Sequence, residues 1–277
     1  MATVLDDTTL DRVRVIAADM DCTLLADDGT MPPGMPDRIR ALDAAGITFC
    51  AASGRPSYTL RAMFDEVADH MAFISDNGAA ISCRGELVYK DLIEVSAYQE
   101  LLAFTFADGR GIPTVCGLDA CFISRSAECF DSYFRTFYKH IVYLDSLEEL
   151  DADVNKYTVY FPEHDAEEVY AEAYRDRWGE RFSVTNAGKM WIDIMNPWVD
   201  KGRGLERLCA HLGVSTADAM ALGDTYNDIP MLKVAGHSYV VANAEEHMRE
   251  HARFVAPSNN ERGVAQVIDA VLAAQRR

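Results

Sequence analysis

The chain has 277 residues, of which 49% are hydrophobic and 25% charged, a composition that suits one large globular core or two smaller ones. Its formal net charge of −18 at pH 7 argues against nucleic-acid binding, because phosphate backbones require Lys and Arg. A spanning run of roughly twenty apolar residues, a secretory signal and C-x-x-C cysteine pairs are all missing, so we expect a soluble, reduced, cytoplasmic protein without a membrane partner.

Strand and helix patterns alternate in the first part of the chain and again near its end. The apolar strand from Val13 is followed by a helix at 37–45, a strand at 47–51, a helix at 57–68, a strand at 71–75 and a hairpin-like stretch near residues 81–87. The alternation resumes after residue 201, with strands at 219–222, 237–241 and 253–255 and a final helix at 263–275. Such alternation predicts an α/β fold with a doubly wound parallel sheet.

A different rhythm occupies residues 88–189. Helical patterns at 96–107, 127–138 and 165–178 are interleaved with strands near 120–124, 155–161 and 182–185. Aromatic side chains concentrate in this segment, and we expect most of them to fill the core of a second layer. The pattern predicts a core formed by residues 1–87 and 190–277, with an α+β domain inserted at 88–189.

Two acids, Asp19 and Asp21, follow the first strand. Residues i and i+2 of an extended chain point to the same side, so these carboxylates are expected to approach each other at the carboxyl end of a strand. Open α/β sheets bind ligands at that edge. Two close carboxylates repel each other unless they share a proton or a cation.

Three other segments end a strand or open a helix with matching chemistry. Ser53 and Gly54 follow the second strand and offer a hydroxyl and a backbone amide. Lys201 opens a helical pattern, and the acids Asp224 and Asp228 follow a short apolar strand. Oxygen ligands favour Mg²⁺, and lysine with backbone amides balances phosphate charge. The set indicates Mg²⁺-assisted phosphoryl chemistry.

These motifs, D-x-D-x-T, S-G-R, D-K-G and G-D-x-x-N-D, resemble in order and spacing those of the haloacid dehalogenase (HAD) superfamily. The resemblance is closest to its Cof-type branch of sugar-phosphate phosphatases (subfamily IIB). It extends to the tail that begins at Asn259, and the motifs span residues 15–264. It implies a HAD-like Rossmannoid core with a C2-type cap inserted at 88–189.

The resemblance also implies an activity and its residues. It implies a Mg²⁺-dependent phosphatase that hydrolyses small phosphorylated metabolites, such as sugar phosphates or related phosphomonoesters, through an aspartyl-phosphate intermediate. Asp19 would be the nucleophile, and Asp21 the general acid and base that also offers its backbone carbonyl to the metal. Lys201 would offset the charge on Asp19 and on the transferring phosphoryl group.

Further site residues follow from the same resemblance. Ser53, Gly54 and Asn227 would bind the phosphate. Asp19, Asp21, Asp224 and Asp228 would hold the metal, with Asp224 as a direct ligand and Asp228 acting either through water or by orienting Lys201.

Two alternatives and one departure remain at this point. A phosphomutase of the same superfamily and a non-catalytic metabolite-binding protein use the same fold, and the oligomeric state is open between monomer and homodimer. Cys22 stands where these enzymes usually have glycine, a residue that permits tight backbone geometry. Neighbouring carboxylates are expected to raise the pKa of its thiol and keep it unreactive.

Overall fold

The computed structural model of the chain describes residues 2–276. Its strands are β1 (Ala2–Thr3), β2 (Val15–Ala18), β3 (Thr48–Ala52), β4 (Ala72–Ser75), β5 (Ala80–Cys83), β6 (Glu86–Lys90), β7 (Ile112–Gly117), β8 (Cys121–Ser124), β9 (Ile141–Leu144), β10 (Val154–Tyr160), β11 (Ser183–Asn186), β12 (Trp191–Met195), β13 (Ala219–Gly223), β14 (His237–Val241) and β15 (Phe254–Ala256). Its α-helices are α1 (Met35–Ala44), α2 (Ser57–Met63), α3 (Val95–Asp108), α4 (Asp131–Phe134), α5 (Ala166–Val169), α6 (Arg175–Trp178), α7 (Lys201–Leu212), α8 (Ile229–Val234) and α9 (Gly263–Ala274).

The residues group into two compact units. The first contains the described residues up to Gly54, the segment Met63–Tyr89 and the residues from Asp200 onwards, and the second contains Arg55–Ala62 and Lys90–Val199. The last crossing between the units therefore follows Val199, whereas the sequence pattern places it after residue 189. The difference arises from β12, which pairs with β10 and β11 and so adds a strand to the second unit.

A nine-stranded sheet forms the first unit, with the strand order β1-β15-β14-β13-β2-β3-β4-β5-β6. All neighbours from β1 to β4 in this order pair in parallel, and β5 is antiparallel to β4. The central strands β2, β3 and β13 are buried along their whole length, as expected when helices cover both faces of a sheet. The predicted α/β fold with a doubly wound parallel sheet is confirmed.

The second unit is built on a six-stranded sheet in the order β11-β12-β10-β7-β8-β9. Its pairs are antiparallel except for β8 and β9. Tyr157 and Tyr174 belong to a buried cluster with α3, while Phe134, Tyr160 and Trp191 belong to a second cluster that includes residues of α4. Because Tyr157 and Tyr160 lie on opposite faces of β10, aromatic side chains fill cores on both faces of this sheet.

Several helices are shorter than the sequence pattern predicts. The helix predicted at 57–68 ends at Met63, and only Asp131–Phe134 is α-helical within 127–138. The segment 165–178 is divided by a π-helical turn at Tyr170–Tyr174. Among residues 2–276, no helix combines the length and the apolar character needed to cross a bilayer.

Asp7 is a buried carboxylate that ties the N-terminal segment to β14. Its Oδ2 accepts hydrogen bonds from His237 Nδ1 at 2.7 Å and from the Tyr239 hydroxyl at 2.8 Å. Its Oδ1 accepts from the backbone amide and hydroxyl of Thr9 at 3.2 and 3.0 Å. Burial alone would raise the pKa of Asp7, but the bonds from His237 and Tyr239 hold it below its ordinary value. Asp7 is therefore ionised and fully supplied with donors.

Candidate active site

The loop after β2 carries Asp19 and Asp21. β2 ends at Ala18, and residues 20–24 form one tight turn in which the Leu24 amide donates to the Asp19 carbonyl at 3.1 Å. The chain therefore leaves the extended conformation immediately after Asp19, and the rule that residues i and i+2 share a side does not hold there. Asp19 is buried, whereas Asp21 is exposed.

Lys201 is the first residue of α7, and its side chain is fully buried against two carboxylates. Its Nζ lies 2.6 Å from Asp19 Oδ1 and 2.7 Å from Asp228 Oδ1. The start of α7 is fixed by Asp200, whose side chain accepts a hydrogen bond from the Arg203 amide at 2.8 Å, as an N-cap residue does. The capped first turn thus holds the ammonium group at the end of β2.

The loop after β13 supplies two more carboxylates. Asp224 Oδ1 accepts a hydrogen bond from the Thr23 hydroxyl at 2.7 Å. Asp228 Oδ2 accepts from the backbone amides of Asp224 and Thr225 at 2.9 and 3.1 Å. Gly223 permits this loop, because a Cβ there would lie 2.5 Å from the Asp228 side chain. The two acids are therefore held by different partners within one turn.

A third loop, after β3, brings in Ser53 and Gly54. The buried Ser53 donates its amide to the Ile74 carbonyl at 2.9 Å and accepts from the Asn77 amide at 3.0 Å. A Cβ on Gly54 would lie 3.3 Å from the Asn77 side chain, and Asn227 Nδ2 donates to Asn77 Oδ1 at 3.1 Å. Asn77 thus joins the Ser53–Gly54 loop to the loop that carries Asn227.

The structure assembles most of the predicted residues at one edge of the first sheet. β2, β3 and β13 are parallel neighbours, so the loops after them meet at their carboxyl ends, where such sheets bind ligands. Asp19, Asp224 and Asp228 form one group whose carboxylate oxygens lie within 4.8 Å of one another. The carboxylate of Asp21 is outside that group, although it belongs to the same loop as Asp19.

Like charges dominate this group. Burial and then the Asp228 carboxylate raise the pKa of Asp19 well above its ordinary value, against the opposing effect of Lys201. Burial also raises the pKa of Asp224, against the hydrogen bond from Thr23. Burial would lower the pKa of Lys201, but the Asp19 and Asp228 carboxylates raise it above its ordinary value. With all four groups ionised, three carboxylates and one ammonium leave a net charge of −2.

A hard divalent cation fits this donor set. The oxygen ligands are of the kind that Mg²⁺, Ca²⁺ and Mn²⁺ favour, and a charge of +2 would offset the excess negative charge that raises the carboxyl pKa values. Both oxygens of Asp228 already accept hydrogen bonds from Lys201 and from backbone amides. Asp19 and Asp224 are therefore the better placed ligands.

Cys22 adopts the left-handed conformation that glycine favours, with φ 59° and ψ 1°. Asn243 Nδ2 donates to the Cys22 carbonyl at 2.8 Å, and Asn243 Oδ1 accepts from the Asn259 amide at 3.0 Å. Burial and then the neighbouring carboxylates raise the pKa of the Cys22 thiol. The sequence patterns indicate no role for Asn243. Its partner Asn259, however, begins the tail motif that the sequence analysis identified.

The sequence profile of the haloacid dehalogenase-like hydrolases matches residues 16–268, nearly the whole chain. The chain belongs to this family. HAD membership, including the Cof-type branch predicted from the motifs, is thereby confirmed. Two relatives of this HAD hydrolase are called 5-amino-6-(5-phospho-D-ribitylamino)uracil phosphatase. YbjI of Escherichia coli is 28% identical over 94% of this chain and 96% of its own length, and YwtE of Bacillus subtilis is 26% identical over 95% and 99%.

Solved structures agree with the family assignment. SMU.1108c from Streptococcus mutans is 28% identical to this HAD hydrolase and superposes with a TM-score of 0.84 over 94% of this chain and 99% of its own. BT4131, a sugar phosphatase of HAD subclass IIB, is 20% identical and shares the fold, with a TM-score of 0.74 over 93% and 98%. The predicted enzyme class, a phosphoric monoester hydrolase, is confirmed by the phosphatase relatives and the family profile.

Proposed function

We propose that this HAD hydrolase is a Mg²⁺-dependent phosphatase that acts on small phosphorylated metabolites through an aspartyl-phosphate on Asp19. The observation that carries the proposal is the buried Asp19 carboxylate, held 2.6 Å from Lys201 beside Asp224 and Asp228. A structural ion pair would gain nothing from two further carboxylates within 4.8 Å, since like charges oppose burial. Bound Mg²⁺ would offset the negative charge of the carboxylates and of the phosphoryl group.

Asp19 and Asp21 divide the reaction into two displacements. An Asp19 oxygen attacks phosphorus, and the bond from phosphorus to the leaving alcohol oxygen breaks while Asp21 donates a proton to that oxygen. A water molecule then attacks the phosphorus of the aspartyl-phosphate, Asp21 takes its proton, and the Asp19 carboxylate and inorganic phosphate are released. The exposure of Asp21 is consistent with a group that exchanges protons with alcohol and water.

The remaining residues bind charge. Ser53, Gly54 and Asn227 would donate hydrogen bonds to phosphate oxygens, and Lys201 would balance the charge that builds up during transfer. Asp19 and Asp224 would hold the metal directly, with the backbone carbonyl of Asp21. The Asp228 contacts support the role of orienting Lys201, because its two oxygens accept bonds from that lysine and from backbone amides.

The proposal also assigns a role to each unit and a class of substrate. The first unit, which contains all of these residues, would be the catalytic core, and the second unit the cap that selects the substrate. The two relatives named 5-amino-6-(5-phospho-D-ribitylamino)uracil phosphatase make a phosphorylated sugar alcohol, or a sugar phosphate, the first class of substrate to test.

The experiment compares Asp19→Asn with the wild type in Mg²⁺-dependent release of inorganic phosphate from p-nitrophenyl phosphate and a panel of sugar phosphates. We expect the variant to lose activity by at least about a thousandfold. The matched control is Asp37→Asn, an exposed acid of α1, which should keep full activity. Unchanged turnover in Asp19→Asn would refute the role of Asp19 as the nucleophile. Conversion of a sugar phosphate into its isomer by the wild type, without release of inorganic phosphate, would favour the phosphomutase.

A further inference from the structure

A cavity of about 370 Å³ lies at the amino ends of β13, β14 and β15. Its lining includes Thr9, Arg12, Lys233, Gly236, His237 and Arg253. The acid cluster lies at the other edge of the same sheet, beyond the carboxyl end of β13. That strand has five residues, so roughly 16 Å of extended chain separates the two edges.

The charge of this lining is opposite to that of the whole chain. Among the described residues 2–276, the cavity is lined by three cationic side chains, Arg12, Lys233 and Arg253, and by no carboxylate, although the chain carries a formal charge of −18. Arg12 lies 3.1 Å from Asp218, and Arg253 Nη1 donates to the Gly236 carbonyl at 2.7 Å. These contacts hold each guanidinium while leaving it further donors. With Asp218 and with Asp7, which lies 2.7 Å from the lining residue His237, both counted, a local excess of one positive charge remains.

His237 adds a buried polar group to the same lining. Only 4% of the residue is exposed, and its Nδ1 lies 2.7 Å from the ionised Asp7. The carboxylate makes Nδ1 the protonated nitrogen, so Nε2 is the ring atom available to a ligand. The proposed hydrolysis gives this network no role.

We propose that this cavity binds a phosphate-bearing anion, either inorganic phosphate or the phosphate group of a metabolite, apart from the reaction centre. A phosphate group matches this local excess of positive charge, and guanidinium and ammonium groups are its usual partners. The volume of about 370 Å³ lies at the lower end of the range for small-molecule pockets.

The test follows the His237 imidazole by ¹⁵N NMR while inorganic phosphate is added at constant ionic strength. Wild type and Asp19→Asn are both titrated, so that a failure of the proposed nucleophile leaves this readout intact. We expect a saturable shift in both proteins. Lys233→Gln should raise the Kd about fivefold, because it removes one cationic group of the lining. Lys233 is exposed and forms no ion pair with another residue in the described range 2–276, so its ammonium group can pair with the anion.

The control is Arg40→Gln, which removes an exposed charge of α1 that is not in the lining and should leave the Kd unchanged. Linear shifts without saturation, or equal Kd values for Lys233→Gln and Arg40→Gln, would overturn the site. A parallel titration with glycerol 3-phosphate identifies the source of the anion: tighter binding than inorganic phosphate indicates a metabolite, and weaker binding indicates free phosphate, each in support of the site.

Discussion

Asp7 and Asp19 are carboxylates of the same unit that expose similar fractions of their surface, 7% and 6% of each residue. Their pKa values nevertheless move in opposite directions, that of Asp7 below and that of Asp19 above the ordinary value. Asp7 accepts only from donors, whereas Asp19 shares one ammonium with Asp228 and lies beside Asp224. Burial raises the pKa of both acids, and the hydrogen-bond donors around Asp7 reverse that effect whereas the acidic neighbours of Asp19 add to it. Crowded acids of this kind are typical of sites that bind a ligand.

The strongest test of this comparison is Asp7→Ala. We expect the free energy of unfolding to fall by about 3 kcal/mol, because the substitution leaves the buried His237 and Tyr239 without their acceptor. Urea unfolding measures the change, and Asp11→Ala, an exposed acid nearby, is the control. A loss below about 1 kcal/mol would contradict the conclusion that the Asp7 carboxylate stabilises the fold whereas that of Asp19 does not.

The Asp7 contribution also has a defined pH dependence. Because the folded pKa of Asp7 is lowered, its ionised form stabilises the fold above the unfolded pKa of about 3.9. That stabilisation is lost as the pH falls through the folded pKa. The difference between wild type and Asp7→Ala should therefore be constant near neutral pH and shrink only in acid.

At the other edge of the sheet, Mg²⁺ should supply the positive charge that the Asp19, Asp224 and Asp228 carboxylates lack. At a hundredfold excess over its Kd, Mg²⁺ is expected to raise the free energy of unfolding of the wild type by about 2.7 kcal/mol. Asp224→Ala should reduce this gain, because it removes a proposed direct ligand, and Asp7→Asn should keep it. Thermal unfolding with and without Mg²⁺ gives the answer, and equal gains in wild type and Asp224→Ala would count against the ligand assignment.

A smaller effect concerns the backbone of the catalytic loop rather than its charge. Asn243→Ala should lower kcat about tenfold, the equivalent of one hydrogen bond, because Asn243 holds the Cys22 carbonyl at 2.8 Å. Glycine accepts a φ of 59° without strain, so adding Cys22→Gly should recover part of the loss. Steady-state kinetics of both single variants and the double variant test this, and purely additive effects would contradict the coupling.

The smallest expected effect is a gain in stability. Without metal at pH 7, Asp19→Asn should be more stable than the wild type by about 1 kcal/mol, since the raised pKa of Asp19 means that its ionisation opposes folding. The wild type loses this stability as the pH rises above the unfolded pKa of about 3.9, so the gain should vanish in acid. Urea unfolding of both proteins at pH 4 and pH 7 measures the difference. If Asp19→Asn is less stable than the wild type at pH 7, the conclusion that ionisation of Asp19 opposes folding is wrong.

The sequence patterns predicted at which edge of the sheet the site lies, but they predicted less well where the individual side chains lie at that edge. Asp19, Lys201 and Asp224 follow or open regular elements, so the parallel topology brings them together without further information. Asp21 is different, because the chain turns out of β2 directly after Ala18, and a two-residue period does not extend into a tight turn. Asn243 escaped detection because it bonds to a backbone carbonyl 221 residues away, a contact that no local pattern encodes.

The second unit was harder to predict for a physical reason. Its aromatic segment at 127–138 has helical spacing, but only Asp131–Phe134 is α-helical, and the residues Arg125–Phe130 before it form a 3-10 helix. The aromatic side chains of this segment pack in a cluster with Tyr160 and Trp191, a long-range contact that the spacing does not encode. β10 is buried on both faces, so its burial shows no alternation. β12 extended the unit past residue 189 through strand pairing with β10 and β11, which is a long-range contact.

The insertion of the second unit also affects how the protein is made. Lys201 is synthesised 182 residues after Asp19, and β13, the neighbour of β2 in the finished sheet, comes later still. At about 5–20 residues per second, a nascent chain carries Asp19 without its ammonium partner for on the order of ten seconds or more. The ribosome therefore completes the reaction centre only after the whole inserted unit has emerged, and a chain truncated before α7 cannot bury that carboxylate in an ion pair.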